Sequence, residues 1–185
     1  MRNPELAAEW GLGWWRAADR AQCVNYDARP TDTAPELIVL HHISLPAGNF
    51  TGTTVLDFFA NRLNVSEHPE LSPLADLRVS AHFFVRRNGD VFQLVSVDDR
   101  AWHAGVSVWR GRDRCNDFSI GIEIEGDAIA PFEAVQYEAL NRLLPSLCAA
   151  YPIRAVTTHS EIAPGRKVDP GPTFDWARLA RRWPL

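Results

Sequence analysis

The stretch from Phe118 to Gly126, FSIGIEIEG, alternates apolar and small or acidic residues with period two. Only an extended strand reconciles that pattern, because successive side chains then point to opposite faces. Ile120, Ile122 and Ile124 fall on one face, with Gly121, Glu123 and Glu125 on the other. Carboxylates alternating with isoleucines are unusual inside a sheet, so this strand organises a core and marks a place where chemistry can sit.

Other elements assemble around it. Leu37–His42 (LIVLHH) reads as a buried strand ending in two histidines. Thr53–Leu63 has helical spacing of Val55, Leu56, Phe59 and Leu63. Residues 64–76 read as a loop. His82–Arg87 and Asp90–Val95 flank Asn88-Gly89, the dipeptide favoured in a type I′ hairpin. Phe132–Tyr151 reads as a helix with Leu140, Leu143, Leu144, Leu147 and Tyr151 on one stripe, and Pro145 is expected to kink or split it. Ala155–Thr158 is a last short strand, His159–Pro172 a long loop, and Phe174–Trp183 a closing helix. Residues 1–36 look irregular. The order β-α-β-β-β-α-β-α predicts an α/β (mixed α+β) single domain, a central mixed sheet flanked by helices. Residues 1–30 are read as an extension packed on the core and 31–185 as the functional domain.

Composition narrows the class. The 185 residues carry 19 Lys and Arg against 23 Asp and Glu, a net charge of −4. That balance argues against nucleic acid as partner, since phosphate binding needs basic excess. No apolar run reaches the ~20 residues of a membrane span. Glu5, Glu9 and Arg16 interrupt any signal-like stretch, and three scattered cysteines form neither a disulfide framework nor a CxxC pair. A monomeric cytoplasmic protein is therefore expected.

The histidines remain. His41 and His42 are strand neighbours, so at most one enters a given site. His41 ends one strand and His159 follows another, opening the loop HSEIAPGRKVDPGP, which ends in Lys167 and Asp169. Two imidazoles and a carboxylate would make a three-ligand metal set with an open fourth position, though no HExxH-like signature supports it and each His also reads as an ordinary hydrogen-bonded residue. Glu123 or Glu125 would serve as a general base, or both line a solvated face. Arg110, Arg112 and Arg114, near Trp102 and His103, form either an anion-gripping loop or a surface charge run. Cys115 reads as a small buried residue, and His68 and His82 as structural.

The strings LIVLHHISLPAG, LRVSAHFFVRRNGD, RAWHAGVSVWRGRDRCNDFSIGIEIEG and HSEIAPGRKVDPGPTFDW occur in this order. Together they resemble the zinc-dependent N-acetylmuramoyl-L-alanine amidases of the type-2 family, nearest its cytoplasmic 1,6-anhydro branch, over roughly residues 22–183. The resemblance implies an amidase type-2, peptidoglycan-recognition-protein-like fold and one Zn2+ per chain. It puts the zinc ligands on His41, His159 and Asp169, and the catalytic residues on Glu123 and Lys167. Substrate contacts fall on Arg78, Trp102 and Arg114. Family members carry Asn after the first zinc histidine; His42 stands there in this chain and takes its place against substrate. The implied reaction is hydrolysis of the muramoyl–L-alanine amide of an anhydro-muropeptide in cell-wall recycling. The alternative is a non-catalytic muropeptide-binding module on the same fold.

Overall fold

The computed structural model describes residues 3–180. Its centre is a six-stranded sheet built from β1 (Asp19–Arg20), β2 (Leu37–Ile43), β3 (Phe83–Val85), β4 (Val91–Gln93), β5 (Ser119–Glu125) and β6 (Ala155–Thr158). The spatial order is β6-β2-β5-β3-β4-β1. β6, β2, β5 and β3 run parallel, and β4 returns antiparallel to β3. Parallel strands are covered on both faces, which accounts for the unbroken apolar run Leu37–Leu40, all of it buried.

One face is covered by a helix over Ala134–Ala150. Its Leu140, Leu143, Leu144 and Leu147 pack against Ile38, Leu40, Ile120, Ile122 and Ile124. Glu133 and Gln136 close its N-terminus as a reciprocal capping box. The helix is continuous through Pro145 rather than split; the proline removes one backbone donor while the packed leucine stripe holds both halves. The opposite face carries Leu37, Val39, Ala155, Phe118, Cys115 and Ile162, and beside them Phe58, Phe59, Leu71, Phe84 and Leu94. None of the three cysteines is in a disulfide.

Several boundaries differ from expectation. The helix expected at Thr53–Leu63 spans only Thr54–Phe59, because Asn61 takes a left-handed backbone at φ 57°. The loop after it contains a 3₁₀ turn over Pro69–Leu74. At the hairpin, Gly89 alone has positive φ (87°), so the turn is not type I′, which needs two such residues. Gly89 N donates to Arg86 O and Arg86 N to Asp90 O, a type I turn followed by a left-handed glycine. The Asn88 side chain accepts from Asp90 N and competes for the turn. The closing helix is a single 3₁₀ turn, Trp176–Arg178, and its expected end at Trp183 lies outside the described residues.

The N-terminal segment is not irregular throughout. It forms a helical turn at Pro4–Ala7 and a small ribbon pairing Trp10 with Trp15 before β1 joins the sheet edge beside β4. Buried Gln93 ties it down, accepting from Trp15 N and donating to Gly13 O. Trp10 Nε1 donates to Ser146 Oγ on the long helix, while Trp15 Nε1 and Ser146 both donate to Glu9. Arg29 runs inward, and its guanidinium donates to the carbonyls of Val97, Asn116, Asp117 and Ser119.

Candidate metal centre and active-site cavity

In open sheets of parallel strands, sites form beyond the carboxyl ends of the strands. The last residues of β2 include His41 and His42, those of β5 include Glu123 and Glu125, and His159 directly follows β6. Register aligns Glu123 with His41 across β5 and β2, so the two side chains leave the same face. Asp169 arrives from the loop after β6. That loop opens with one helical turn, His159–Ile162, capped by the Thr158 hydroxyl accepting from Glu161 N. Ser160 N donates to Asp169 O at 3.0 Å, which closes the loop and seats Asp169 beside His159.

The ligand atoms of His41, His159 and Asp169 lie within 4.8 Å of one another. His41 Nδ1 is 2.9 Å from His159 Nδ1, and each is 3.1 and 2.9 Å respectively from Asp169 Oδ2. All three residues are buried. His159 Nε2 lies 3.2 Å from the Ala104 carbonyl. A carbonyl only accepts, so Nε2 carries a proton, which leaves Nδ1 as the nitrogen a metal would take. Burial pushes His41 down to about 4 and keeps it neutral. Burial would raise Asp169, but its close contacts with the His159 and His41 rings outweigh it and hold the carboxyl well below its usual range. Two imidazoles and a carboxylate form the donor set a divalent transition metal takes. Their spacing approaches the roughly 3.3 Å between ligands of a tetrahedral ion with bonds near 2.0 Å. The residues therefore fit a metal.

A cavity of about 250 Å³ opens beside this triad. Glu123, Lys167, Trp102, His103 and His42 line it together with His159 and Asp169. Glu123 Oε2 is buried without a hydrogen-bond partner among the described residues. Burial, and secondarily the charge of Asp169, raise its pKa well above the ordinary range, while Lys167 opposes the shift. A carboxyl with no structural partner and a raised pKa at a cleft is the environment of a proton-transfer group. Glu125 is the contrast: buried, it accepts from Arg87 N at 2.8 Å and serves the fold. Of the two carboxylates between which the residue pattern left the choice open, Glu123 faces the cavity with an unpartnered oxygen and Glu125 is engaged by the backbone.

The expected substrate contacts separate into two groups. Trp102 and His42 line the cavity, His42 donating from Nδ1 to Pro170 O at 3.1 Å. Arg78 and Arg114 are not among the lining residues. Arg78 donates to the Ala75 and Leu77 carbonyls of its own loop, and Arg114 pairs with Asp117. Arg112 is engaged by Glu36 and lies over Phe118, and Arg110 lies over Trp109.

Sequence reasoning missed the apolar wall formed by Leu45, Phe58, Phe59, Leu74, Leu77 and Val79. Local spacing places Phe58 and Phe59 in an ordinary helix and Leu74 in a loop, and gives Leu45, Leu77 and Val79 no element. It also missed His103, buried with Nδ1 2.9 Å from His41 Nε2.

Comparison with known proteins agrees with this geometry. The N-acetylmuramoyl-L-alanine amidase family model matches residues 31–172. The 1,6-anhydro-N-acetylmuramyl-L-alanine amidase AmpD of Citrobacter freundii is 48% identical over 169 residues, covering 90% of each chain. A crystal structure of a selenomethionine AmpD derivative superposes with a TM-score of 0.89 at 47% identity, covering 91% of this chain and 96% of that one. The Escherichia coli amidase AmiD, solved with anhydro-N-acetylmuramic acid-L-Ala-D-γ-Glu-L-Lys, gives a TM-score of 0.59 at 36% identity, covering 82% of this chain and 59% of that one. With the fold, the His-His-Asp triad and these similarities in agreement, the chain belongs to the N-acetylmuramoyl-L-alanine amidase family.

Proposed function

We propose that this chain hydrolyses the amide joining 1,6-anhydro-N-acetylmuramic acid to the L-alanine of a stem peptide, with one Zn2+ held by His41, His159 and Asp169. The observation that carries the proposal is a His-His-carboxylate triad beside a cavity that Glu123 lines with a buried, partnerless Oε2. When bound, zinc supplies Lewis acidity, polarising a carbonyl and lowering the pKa of water toward neutrality.

The chain's own residues supply the rest. Glu123 accepts a proton from the attacking water at Oε2 and delivers one to the departing alanine nitrogen, a shuttle its raised pKa favours. The Lys167 ammonium stabilises negative charge on the carbonyl oxygen in the tetrahedral intermediate, a role commonly worth about 3 kcal/mol. Lys167 lies two positions before Asp169, so the closed loop sets both. Leu45, Phe58, Phe59 and Val79 exclude water and accommodate the lactyl and alanyl methyls, while Trp102 offers a flat wall for the sugar. His42, with Nδ1 committed to Pro170, presents Nε2 as an acceptor for substrate N–H or O–H groups. Arg78 and Arg114, both exposed, are assigned the outer carboxylates of the stem peptide.

No helix among the described residues is long and apolar enough to cross a membrane. The proposed setting is the cytoplasm, on soluble recycled fragments, with the chain acting as a monomer. Incubation with anhydro-muropeptide is expected to release intact stem peptide, to stop on chelation and to resume with added Zn2+. Binding without cleavage would instead identify a muropeptide-binding module, and cleavage unaffected by chelation would remove the metal from the mechanism.

A further inference from the structure

The tetrapeptide Trp102-His103-Ala104-Gly105 touches both histidines of the triad on the nitrogen each turns away from the cluster. The Ala104 carbonyl accepts from His159 Nε2 at 3.2 Å, and His103 Nδ1 lies 2.9 Å from His41 Nε2. For His41 Nδ1 to act as a ligand, its proton must reside on Nε2 and needs an acceptor there. His103 Nδ1 is that acceptor. The His103 proton then sits on Nε2, facing Ser119 Oγ at 3.1 Å. His41 and Ser119 are buried at 1% and 0% exposure, so a partner lost at either end of this chain of contacts is poorly replaced by water.

The segment is built to hold this arrangement. Asn116 Oδ1 accepts from His103 N at 3.1 Å and from Ala104 N at 2.8 Å. Arg166 Nη2 donates to the Ala104 and Val106 carbonyls, tying the segment to the loop that carries Asp169. Gly121 makes room for the imidazole: a Cβ there would stand 2.4 Å from His103 Cγ.

Resting on the metal reading above, we infer that His103 is a positioning residue for the metal centre. Its Nδ1 accepts the Nε2–H of His41 and commits His41 Nδ1 to the unprotonated, ligating form. Such outer partners typically contribute 10- to 100-fold in metal affinity.

The test titrates the metal-stripped full chain with Zn2+ against a competing chelator, and with Co2+ followed by its visible spectrum. Wild type, His103→Asn and His103→Phe are compared after thermal unfolding without metal shows that each is folded. Asn carries an oxygen where the imidazole has Nδ1; Phe keeps the ring and removes the acceptor. His103→Phe is expected to bind Zn2+ about 10- to 100-fold more weakly, with a changed Co2+ spectrum, and His103→Asn to recover most of the loss. Phe within about twofold of wild type, or Asn and Phe equally weak, overturns the inference while leaving the metal reading intact. If His103→Phe does not fold, Ser119→Ala reads the same relay, since His103 Nε2–H then lacks its acceptor; weaker Zn2+ binding supports the inference and unchanged binding overturns it. Wild-type protein that binds neither metal removes the functional reading itself.

Discussion

At the scale of single residues, environment rather than residue type assigns roles. Glu123 and Glu125 are identical side chains on the same strand face. One has a backbone donor and the other has none, and that difference separates a structural acid from a candidate proton shuttle. Glu123→Gln is expected to lower kcat by about 10²–10⁴-fold with metal content unchanged; steady-state kinetics paired with metal analysis checks it, and near-normal turnover would refute the role. His82 illustrates the opposite case. Its ring is buried, Nδ1 accepts from Gly121 N, and Nε2 faces the Asp99 carbonyl and Arg29. Burial first, and then the Arg29 charge, depress its pKa well below the ordinary value. The unfolded chain therefore takes up a proton near pH 6.5 that the folded chain refuses. The stability from neutral His82 is complete above that pH and declines as pH falls below it, by up to about 1.4 kcal/mol per unit. Urea unfolding at pH 7.5 and 5.5, with chelator present, is expected to show a smaller acid-side loss for His82→Asn than for wild type; equal losses would exclude His82 as the source.

At the scale of elements, β5 was the most legible part of the chain and also carried an unread message. Period two assigned its isoleucines to the core, where they pack under the long helix. Gly121, between Ile120 and Ile122, is the kind of interruption that marks close approach by another group, and that group is the His103 ring. Gly121→Ala is expected to cost about 1–3 kcal/mol through overpacking and to weaken metal binding, because the displaced ring is the one against His41; unfolding and Zn2+ titration of the same variant check both. The loop 102–106 was illegible as an orienting element. Its residues are polar or small, and their role depends on Asn116 and Arg166, which reach them from distant points in the chain. The hairpin shows a similar limit. Asn-Gly signals a tight turn, but the Asn88 side-chain bond selects a different turn geometry from the backbone preference.

At the scale of the whole molecule, the N-terminal segment is anchored on the helix-covered face, away from the metal-ligand cluster. Trp15 is buried and packs on the helix-covered face, tied through Glu9 to Ser146. Trp15→Ala is expected to cost about 3–5 kcal/mol of stability while leaving Zn2+ stoichiometry unchanged in the fraction that stays folded; calorimetry and metal analysis check the pair. What the sequence determined by itself was the class of fold, the strands and the identity of the chemical groups, because alternation, apolar runs and residue types are local properties. Its motif resemblance nominated the triad and Glu123, but spacing alone did not separate them from ordinary histidines and acids. Tertiary structure decided which nitrogens converge, which carboxyl lacks a partner, and which side chains wall the cavity. Those depend on burial and on contacts between residues up to 128 positions apart, as between His41 and Asp169, and no local pattern encodes the dielectric or the hydrogen-bond partner that a side chain meets after folding.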